Sequence, residues 1–258
     1  MSLPDRDLRD HLVRHRIAGE VATSREDNLR NAARLAEGRD GYGFGVRLSR
    51  RWSTDEVVDV MVERVGIRAD RDHVEGPDTI DPDLTLAALD RWRDRLRLAA
   101  ARRERVLVAT GHPTGVLSLH LAVAVHLAAA GCEVLDPHLE WRWPWPEPSA
   151  WARGRQRHVR SLHGVQVLAS GGELLHTHAP EPMEAVLAGL SVVPDLVVAD
   201  HGWAGAAASQ GIETLALADC NDPALFVGEA EGLPLVTVPL DDNVAPRLYR
   251  PLWEHVLS

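Results

Sequence analysis

The sequence contains no lysine, and all 28 of its basic residues are arginines. A Walker-A phosphate loop depends on a lysine that reaches the nucleotide phosphates. Pyridoxal enzymes and Schiff-base aldolases depend on a lysine amine that forms a covalent bond. The absence of lysine therefore excludes all three classes. A GxGxxG dinucleotide fingerprint is absent as well.

Cysteine and long apolar runs are also scarce. The two cysteines, Cys132 and Cys220, lie far apart and form no CxxC pair, so reduced thiols are expected. No stretch approaches the roughly 20 apolar residues that a membrane helix needs. The first residues are charged and lack the apolar region of a secretory signal. We therefore expect a cytoplasmic protein.

The charge balance argues against two classes of partner. The formal net charge is -10 at pH 7. Nucleic acids and membrane surfaces are anionic, so we expect neither as a general partner. A local basic pocket for a small phosphorylated molecule remains compatible with this charge.

Residues 1–104 predict a helical cap. Amphipathic segments at 5–16, 54–65 and 84–103 predict helices, and a further helix begins after Ser24, which is placed to cap it. Pro82 lies at the start of the last of these helices. The glycine-rich segment 39–47 predicts a loop against the main body.

Residues 105–258 alternate between short apolar strands, glycine turns and helices. Fully apolar strands that alternate with helices predict a mostly parallel sheet covered on both faces. The predicted fold is a Rossmann-like three-layer α/β/α core. An insertion at 140–160 is rich in Trp, Pro and Arg. It predicts a lid, a mobile arm or, as is typical of exposed Trp-Pro clusters, a contact between copies in a homo-oligomer.

Polar or glycine residues follow several predicted strands. Ligands bind outside the carboxyl ends of strands in an open parallel sheet, so these segments should meet at one edge. They are 110–115, 170–172, 200–202, 219–222 and 241–243. This edge is therefore the predicted active site.

The first segment, 110–115, predicts an anion site. Two glycines flank His112-Pro-Thr and a helix follows, so backbone N–H groups could hold a phosphate. The predicted phosphate-binding residues are Thr110, Gly111, Thr114 and Gly115, together with Arg30 of the cap. The alternative is a tight turn in which Thr114 caps the next helix.

Acidic residues dominate the next segments. Converging carboxylates repel one another unless they are protonated or bridged by a cation, which predicts a hard divalent metal, Mg²⁺ or Mn²⁺. The predicted ligands are Asp200, Asp219, Asn221 and Asp222. The alternative is that each acid caps a helix, most clearly Asp222, which precedes a proline.

Other polar residues are additional candidates. His176 and His178 would share one face of a strand, where they could bind a metal or an oxyanion or simply lie at the surface. Asp241, Asp242 and Asn243 follow the last strand and could bind a ligand, cap a helix or hold an arginine. By contrast, the histidines at 120, 126 and 255 lie inside predicted helices and are assigned structural roles.

Several long motifs resemble an actinobacterial family usually labelled only "phosphatase". They are DTIDPDLT, ATGHPTGVL, HTHAPEPM, PDLVVADHGWAG, ADCNDPALFVGEAEG and VTVPLDDNV. The resemblance runs from the SREDNLRN segment to the last residues, and the insertion at 140–160 departs from it. The strand-end pattern is also similar, at the level of architecture, to metal-dependent damage-control phosphatases, which hydrolyse small phosphorylated metabolites.

The resemblance implies a metal-dependent phosphatase that acts on a small phosphorylated metabolite. In this prediction Asp200 and the other acids hold the metal, and either His112 or His201 is the general acid. Arg30 supplies positive charge to the phosphate. Two alternatives remain: a sugar-phosphate isomerase or lyase, and a non-catalytic metabolite-binding protein.

Overall fold

The structure is a computed structural model that describes residues 5–137, 142 and 157–258. Most of the insertion predicted at 140–160 lies outside the described residues, so its predicted role as a lid, arm or interface stays a prediction. No described helix is both long and apolar enough to cross a membrane.

The described chain forms strands and helices in the following order. The strands are β1 (Gly19–Ser24), β2 (Pro77–Ile80), β3 (Arg105–Thr110), β4 (Glu133–Val134), β5 (Arg157–Leu162), β6 (Val165–Ser170), β7 (Glu173–Leu174), β8 (Leu196–Asp200), β9 (Thr214–Ala218) and β10 (Leu235–Pro239). The helices are α1 (Asp5–Arg14), α2 (Arg25–Ala36), α3 (Thr54–Arg64), α4 (Pro82–Arg102), α5 (Leu117–Ala129), α6 (Glu181–Gly189), α7 (His201–Ser209), α8 (Pro223–Ala230) and α9 (Arg250–Val256), with a 3₁₀ helix at Pro246–Tyr249.

The main sheet has the strand order β10-β9-β8-β3-β6-β5, with β4 beside the start of β3 and β7 beside the end of β6. All pairings are parallel except those of β5 and β7 with β6. The predicted α/β fold with a mostly parallel sheet is therefore confirmed, while the finer Rossmann-like three-layer assignment stays a prediction. The strand order reverses between β3 and β8, and a ligand crevice is expected at such a point.

The strands that the sequence marked as apolar runs are buried. Every residue of β6, β8 and β9 is buried. Helices α4, α5 and α9 contact one another, and α7 contacts both α6 and α8. A strand whose residues are all buried has no solvated face, which explains why these sequences do not alternate between polar and apolar residues.

The N-terminal part contains a small sheet that the sequence did not indicate. β1 and β2 pair in antiparallel fashion, so the prediction of a mostly helical cap was incomplete. β2 is four residues long and starts with a proline, and β1 is mostly exposed or half-buried, so neither has a strong strand pattern. The predicted cap at Ser24 is confirmed, because its hydroxyl accepts from the N–H of Asp27. The division at residue 104 stays a prediction.

An ion pair joins the starts of the two central strands. Arg105 of β3 donates from its backbone N–H and its guanidinium to Asp195, which precedes β8. These hydrogen bonds, together with the charge of Arg105, lower the pKa of Asp195 from 3.8 to about 2.

The lowered pKa of Asp195 predicts a specific acid sensitivity. Since the folded pKa lies below the unfolded one, the pair stabilises the fold above about pH 4 and loses this effect as the pH falls towards about 2. Asp195→Asn should therefore lower the urea midpoint at pH 7, and the difference from wild type should shrink at pH 3. Asp94→Asn, at an exposed acid of α4, is the control and should behave like wild type. An equal difference at both pH values would contradict the prediction.

Candidate active site

Asp200 and His201 lie at the junction of β8 and α7, beside the end of β3. The Oδ1 atom of Asp200 accepts from the N–H of Gly111 (2.7 Å) and from Nδ1 of His201 (2.8 Å), and Oδ2 accepts from the hydroxyl of Thr110. Asp200 is fully buried, so its carboxylate is occupied on both oxygens by the protein itself. Its geometry is that of a residue that orients His201.

Two of the predicted strand-end acids, Asp200 and Asp222, do not cap the helices that follow them. Asp200 and Asp222 occupy the N-cap positions of α7 and α8, but neither side chain makes a capping hydrogen bond. The Oδ2 atom of Asp222 instead lies 3.4 Å from Nε2 of His201. The capping alternative is therefore wrong for these two residues, because their carboxylates turn towards the histidine.

His201 is the centre of a buried polar cluster. Its Nε2 atom lies 3.3 Å from Oδ2 of Asp242, and the same oxygen lies 3.3 Å from Nδ1 of His112. Burial lowers the pKa of His201, but the hydrogen bond to Asp200 and the charges of Asp222 and Asp242 outweigh it and raise that pKa to about 10. Its backbone has φ +46°, an uncommon conformation for a residue other than glycine, as is typical of functional sites.

His176 and His178 complete the cluster from the loop after β7. They do not lie in a strand as predicted, but their Nε2 atoms are 3.0 Å apart, so the side chains do point the same way. The ring of His176 stacks on that of His112 (4.2 Å between centroids), and the ring of His178 stacks on that of His201 (4.5 Å). Burial and the neighbouring histidines lower the pKa of His176 to about 4 and that of His178 to about 3.

Two overlapping groups within this cluster have the geometry to hold a metal ion. One consists of His112, His176 and His201, and the other of His201, Asp222 and Asp242. Within each group the ligand atoms lie within 4.8 Å of one another. His201 belongs to both groups. Because Asp200 occupies its Nδ1 atom, Nε2 is the nitrogen left to bind a ligand, an arrangement common among metal-binding histidines.

The polar cluster lines a cavity of about 520 Å³, which we call the central cavity. The remaining predicted acids and amides lie in the wall of this cavity. Asp219 accepts from the hydroxyl of Thr23 (2.6 Å), and Asp241 accepts from the N–H of Asn243 (2.9 Å). Burial and the charge of Asp242 raise the pKa of Asp219. Asn221 and Asn243 also line the cavity. All the strand-end acids thus converge, although Asp200 lies behind His201 rather than at the cavity wall.

Several N–H groups of the predicted phosphate loop form hydrogen bonds within the protein. The N–H of Gly111 donates to Asp200, that of His112 to the hydroxyl of Thr110, and that of Gly115 to the carbonyl of His112. These hydrogen bonds argue against a phosphate cradle built from these three N–H groups, and phosphate binding by the loop stays a prediction. Thr110, Gly111, Thr114 and Gly115 are also missing from the cavity wall, and Thr114 does not cap α5. The loop instead positions His112 and Asp200.

The N-terminal part supplies residues that the sequence analysis missed. His15, Arg16, Thr23, Ser24 and Asp27 all line the cavity. No spacing in the sequence relates them to the strand ends, because they reach the site only through the docking of β1 and α2. The one cap residue that was predicted, Arg30, lies beside the central cavity in an adjoining pocket.

A buried histidine that was assigned a structural role lies next to the site. His120 of α5 is fully buried, and its Nε2 atom lies 3.6 Å from Oδ2 of Asp200. Its Nδ1 atom lies 3.0 Å from the carbonyl oxygen of Val116. His120 therefore helps to enclose Asp200 from the side opposite His201.

Small residues let α7 start close to the site. A Cβ atom at Gly202 would overlap the carbonyl oxygen of His178, and a Cβ atom at Gly205 would overlap that of Phe44. Both glycines permit close approach of another segment of backbone. Gly202 brings the loop that carries His178 against the start of α7, where the His178 and His201 rings stack, and Gly205 brings the segment that carries Phe44 against the same helix.

Comparison with known proteins identifies the family. A family model described as "Phosphatase" matches residues 3–258. The chain belongs to this phosphatase family. Phosphatase SCO2771 of Streptomyces coelicolor is 49% identical over an alignment of 258 positions. This alignment covers 98% of this chain and 94% of the relative. The resemblance inferred from the motifs is thereby confirmed.

The motifs that carried this resemblance also supply the site. ATGHPTGVL contributes His112, HTHAPEPM contributes His176 and His178, and VVADHGWAG contributes Asp200 and His201. The acids come from the two motifs that follow β9 and β10. The motifs by which the chain resembles the family are therefore the same segments that form the polar cluster.

Proposed function

We propose that the protein is a metal-dependent phosphatase that hydrolyses a small phosphorylated metabolite. The observation that carries this proposal is the group formed by His201, Asp222 and Asp242, whose ligand atoms lie close enough together to share one cation. Membership of the phosphatase family supports the hydrolysis of a phosphate ester.

The chemistry of the donors fits a divalent metal. Asp222 and Asp242 both place an oxygen within 3.4 Å of the same histidine nitrogen, so their carboxyl oxygens converge on one point. Two carboxylates and one imidazole suit Mn²⁺ and also accommodate Mg²⁺, whereas the three imidazoles of His112, His176 and His201 would favour Zn²⁺. A metal bound there would polarise the phosphoryl group and lower the pKa of the attacking water.

Other side chains of the cluster would orient His201 and supply the proton for the leaving group. Asp200 holds the proton on Nδ1 of His201, so Nε2 is the nitrogen that would bind a metal after losing its own proton. His112 is the better candidate for the general acid, because His201 has no nitrogen left for the leaving group. Asp242, 3.3 Å from Nδ1 of His112, would orient that ring as Asp200 orients His201. His112 would then give the proton on Nε2 to the leaving oxygen as water adds to phosphorus and the bond from phosphorus to that oxygen breaks. The proton that the water loses would pass through solvent and restore the acid form of His112.

The proposal is tested by measuring metal content and phosphate release together. Protein equilibrated with Mn²⁺ should retain about one ion per chain, and EDTA should lower phosphate release from a panel of metabolite phosphates at least about tenfold, with recovery on adding Mn²⁺. Asp222→Asn should lose the ion, whereas Asp94→Asn should keep it. Retention of Zn²⁺ in preference to Mn²⁺ would move the metal to the three-histidine group. No bound metal and no effect of EDTA would overturn metal dependence.

The same panel separates the two alternatives. A sugar-phosphate isomerase or lyase would convert substrates without releasing phosphate. A non-catalytic binding protein would be stabilised against heat by a metabolite phosphate without converting it. Either result would overturn the phosphatase proposal for this chain.

A further inference from the structure

A second pocket lies beside the catalytic cavity, and its wall carries both basic and acidic residues. Its volume is about 400 Å³, and its wall includes Arg30, Arg34 and Tyr42. His178 and Asp222 line both this pocket and the central cavity, so the two spaces meet at these residues. We call it the arginine pocket.

Helix α2 presents the arginine pocket along one of its faces. Residues three and four apart share a helix face, and Asp27, Arg30, Asn31 and Arg34 have this spacing. The side chain of Asn31 donates to the carbonyl oxygen of Asn221 (2.8 Å), which fixes this face against the loop that carries Asp222. The two arginines are thereby held next to the catalytic acids.

The two arginines of the pocket differ in their partners, and two acids, Asp40 and Asp222, also line it. Arg30 forms an ion pair with Asp27 on the same helix. Arg34 donates to the hydroxyl of Tyr42, and its guanidinium carbon lies 4.9 Å from that ring. Among the described residues, no carboxylate forms an ion pair with Arg34. A guanidinium has five N–H donors, so Arg34 keeps donors for an anion.

The position of the arginine pocket distinguishes it from the site of the reacting phosphate. The reacting phosphate belongs at the group of His201, Asp222 and Asp242, whereas Arg30 and Arg34 lie beyond Asp222 and His178. The His178 ring contacts both the His201 ring (4.5 Å between centroids) and the Phe44 ring (4.8 Å), which lie 5.9 Å from each other. Because His178 and Asp222 line both spaces, a small metabolite could span from the catalytic cluster into the arginine pocket.

We propose that the arginine pocket binds a second anionic group of the substrate. The preferred substrates are then compact phosphate monoesters whose alcohol part carries a carboxylate or another phosphate. Arg34 is the specificity-determining residue, with Arg30 and Tyr42 beside it. This inference rests on the proposed phosphatase function. It also changes the role predicted for Arg30, which would bind the second anionic group rather than the reacting phosphate.

Non-hydrolysable phosphonates test the inference by binding alone. Propylphosphonate and 3-phosphonopropionate differ only in a methyl and a carboxylate group, and propane-1,3-bisphosphonate carries a second phosphonate. Calorimetry on the metal-loaded protein should show that at least one of the two ligands with an anionic tail binds about tenfold or more tightly than propylphosphonate. The two tailed ligands show whether the pocket prefers carboxylate or phosphate.

Arg34→Gln should abolish most of this preference and leave the affinity for propylphosphonate unchanged. Arg97→Gln, at an exposed arginine of α4, is the matched control and should bind like wild type. Equal affinity of wild type for all three ligands would overturn the inference. An equal loss for all three in Arg34→Gln would also overturn it, because Arg34 would then hold the reacting phosphate. A preserved preference without phosphate release from metabolite phosphates would overturn only the proposed function.

Discussion

Replacing His201 with asparagine should lower kcat/KM for phosphate-ester hydrolysis by about a thousandfold. His201 belongs to both groups that could hold a metal, and Asp200, Asp222 and Asp242 all meet its ring. Asparagine tolerates the left-handed backbone at this position, so the variant removes the imidazole without adding backbone strain. The loss should appear in both metal content and phosphate release.

A matched control exists in the same chain. His163, an exposed residue in the turn between β5 and β6, has φ +49°, close to the +46° of His201. His163→Asn makes the same chemical change in the same backbone conformation, away from the described cluster. It should keep wild-type activity and metal content. Near-wild-type activity in His201→Asn would contradict the central role assigned to this histidine.

The convergence of the strand ends was predictable from the sequence because parallel strands end at a common edge. Asp219, Asp222 and Asp242 needed only the recognition of the strands that precede them, and those strands are plain apolar runs. The sequence did not show which acids would be held by hydrogen bonds within the protein and which would face the cavity. Asp200 and Asp222 have the same position relative to a helix, yet one is saturated by protein donors and the other faces the cavity.

Hydrogen bonding within the 110–115 loop shows a second limit of sequence reasoning. A glycine-flanked turn before a helix has the composition of an anion cradle, but composition does not reveal whether its N–H groups are free. Here the donors of Gly111 and His112 are consumed by Asp200 and Thr110. His120 shows the opposite limit, because nothing in its sequence context indicates that it lies beside the site. It belongs to an apolar helix, and only the packing of α5 brings it to Asp200.

The contribution of the N-terminal part depends on a buried ion pair that no local pattern marks. Arg25, the first residue of α2, is fully buried and pairs with Asp78 of β2 (3.0 Å). Asp78 also accepts from the side chain of Asn28 (2.8 Å) and from the N–H groups of Arg68 and Thr79. Charged residues are rarely buried unless they are paired, so a sequence reading places Arg25 at the surface. The pair joins α2 to the small sheet.

Arg25→Met should therefore lower the free energy of unfolding by about 3–5 kcal/mol, because it leaves the Asp78 carboxylate buried without its partner. The guanidinium also donates to the carbonyl oxygens of His73 and Asp70, and these contacts would be lost too. Urea unfolding measures the change, with Arg9→Met as the control: Arg9 forms an exposed ion pair with Asp83, and its loss should leave the midpoint unchanged. Equal stability of the two variants would show that the buried pair does not hold α2 against the small sheet.

The same substitution should also weaken phosphonate binding at temperatures where the variant is still folded. The face of α2 that bears Asp27, Arg30 and Arg34 completes the cavity and the arginine pocket, so binding depends on the anchor that Arg25 provides.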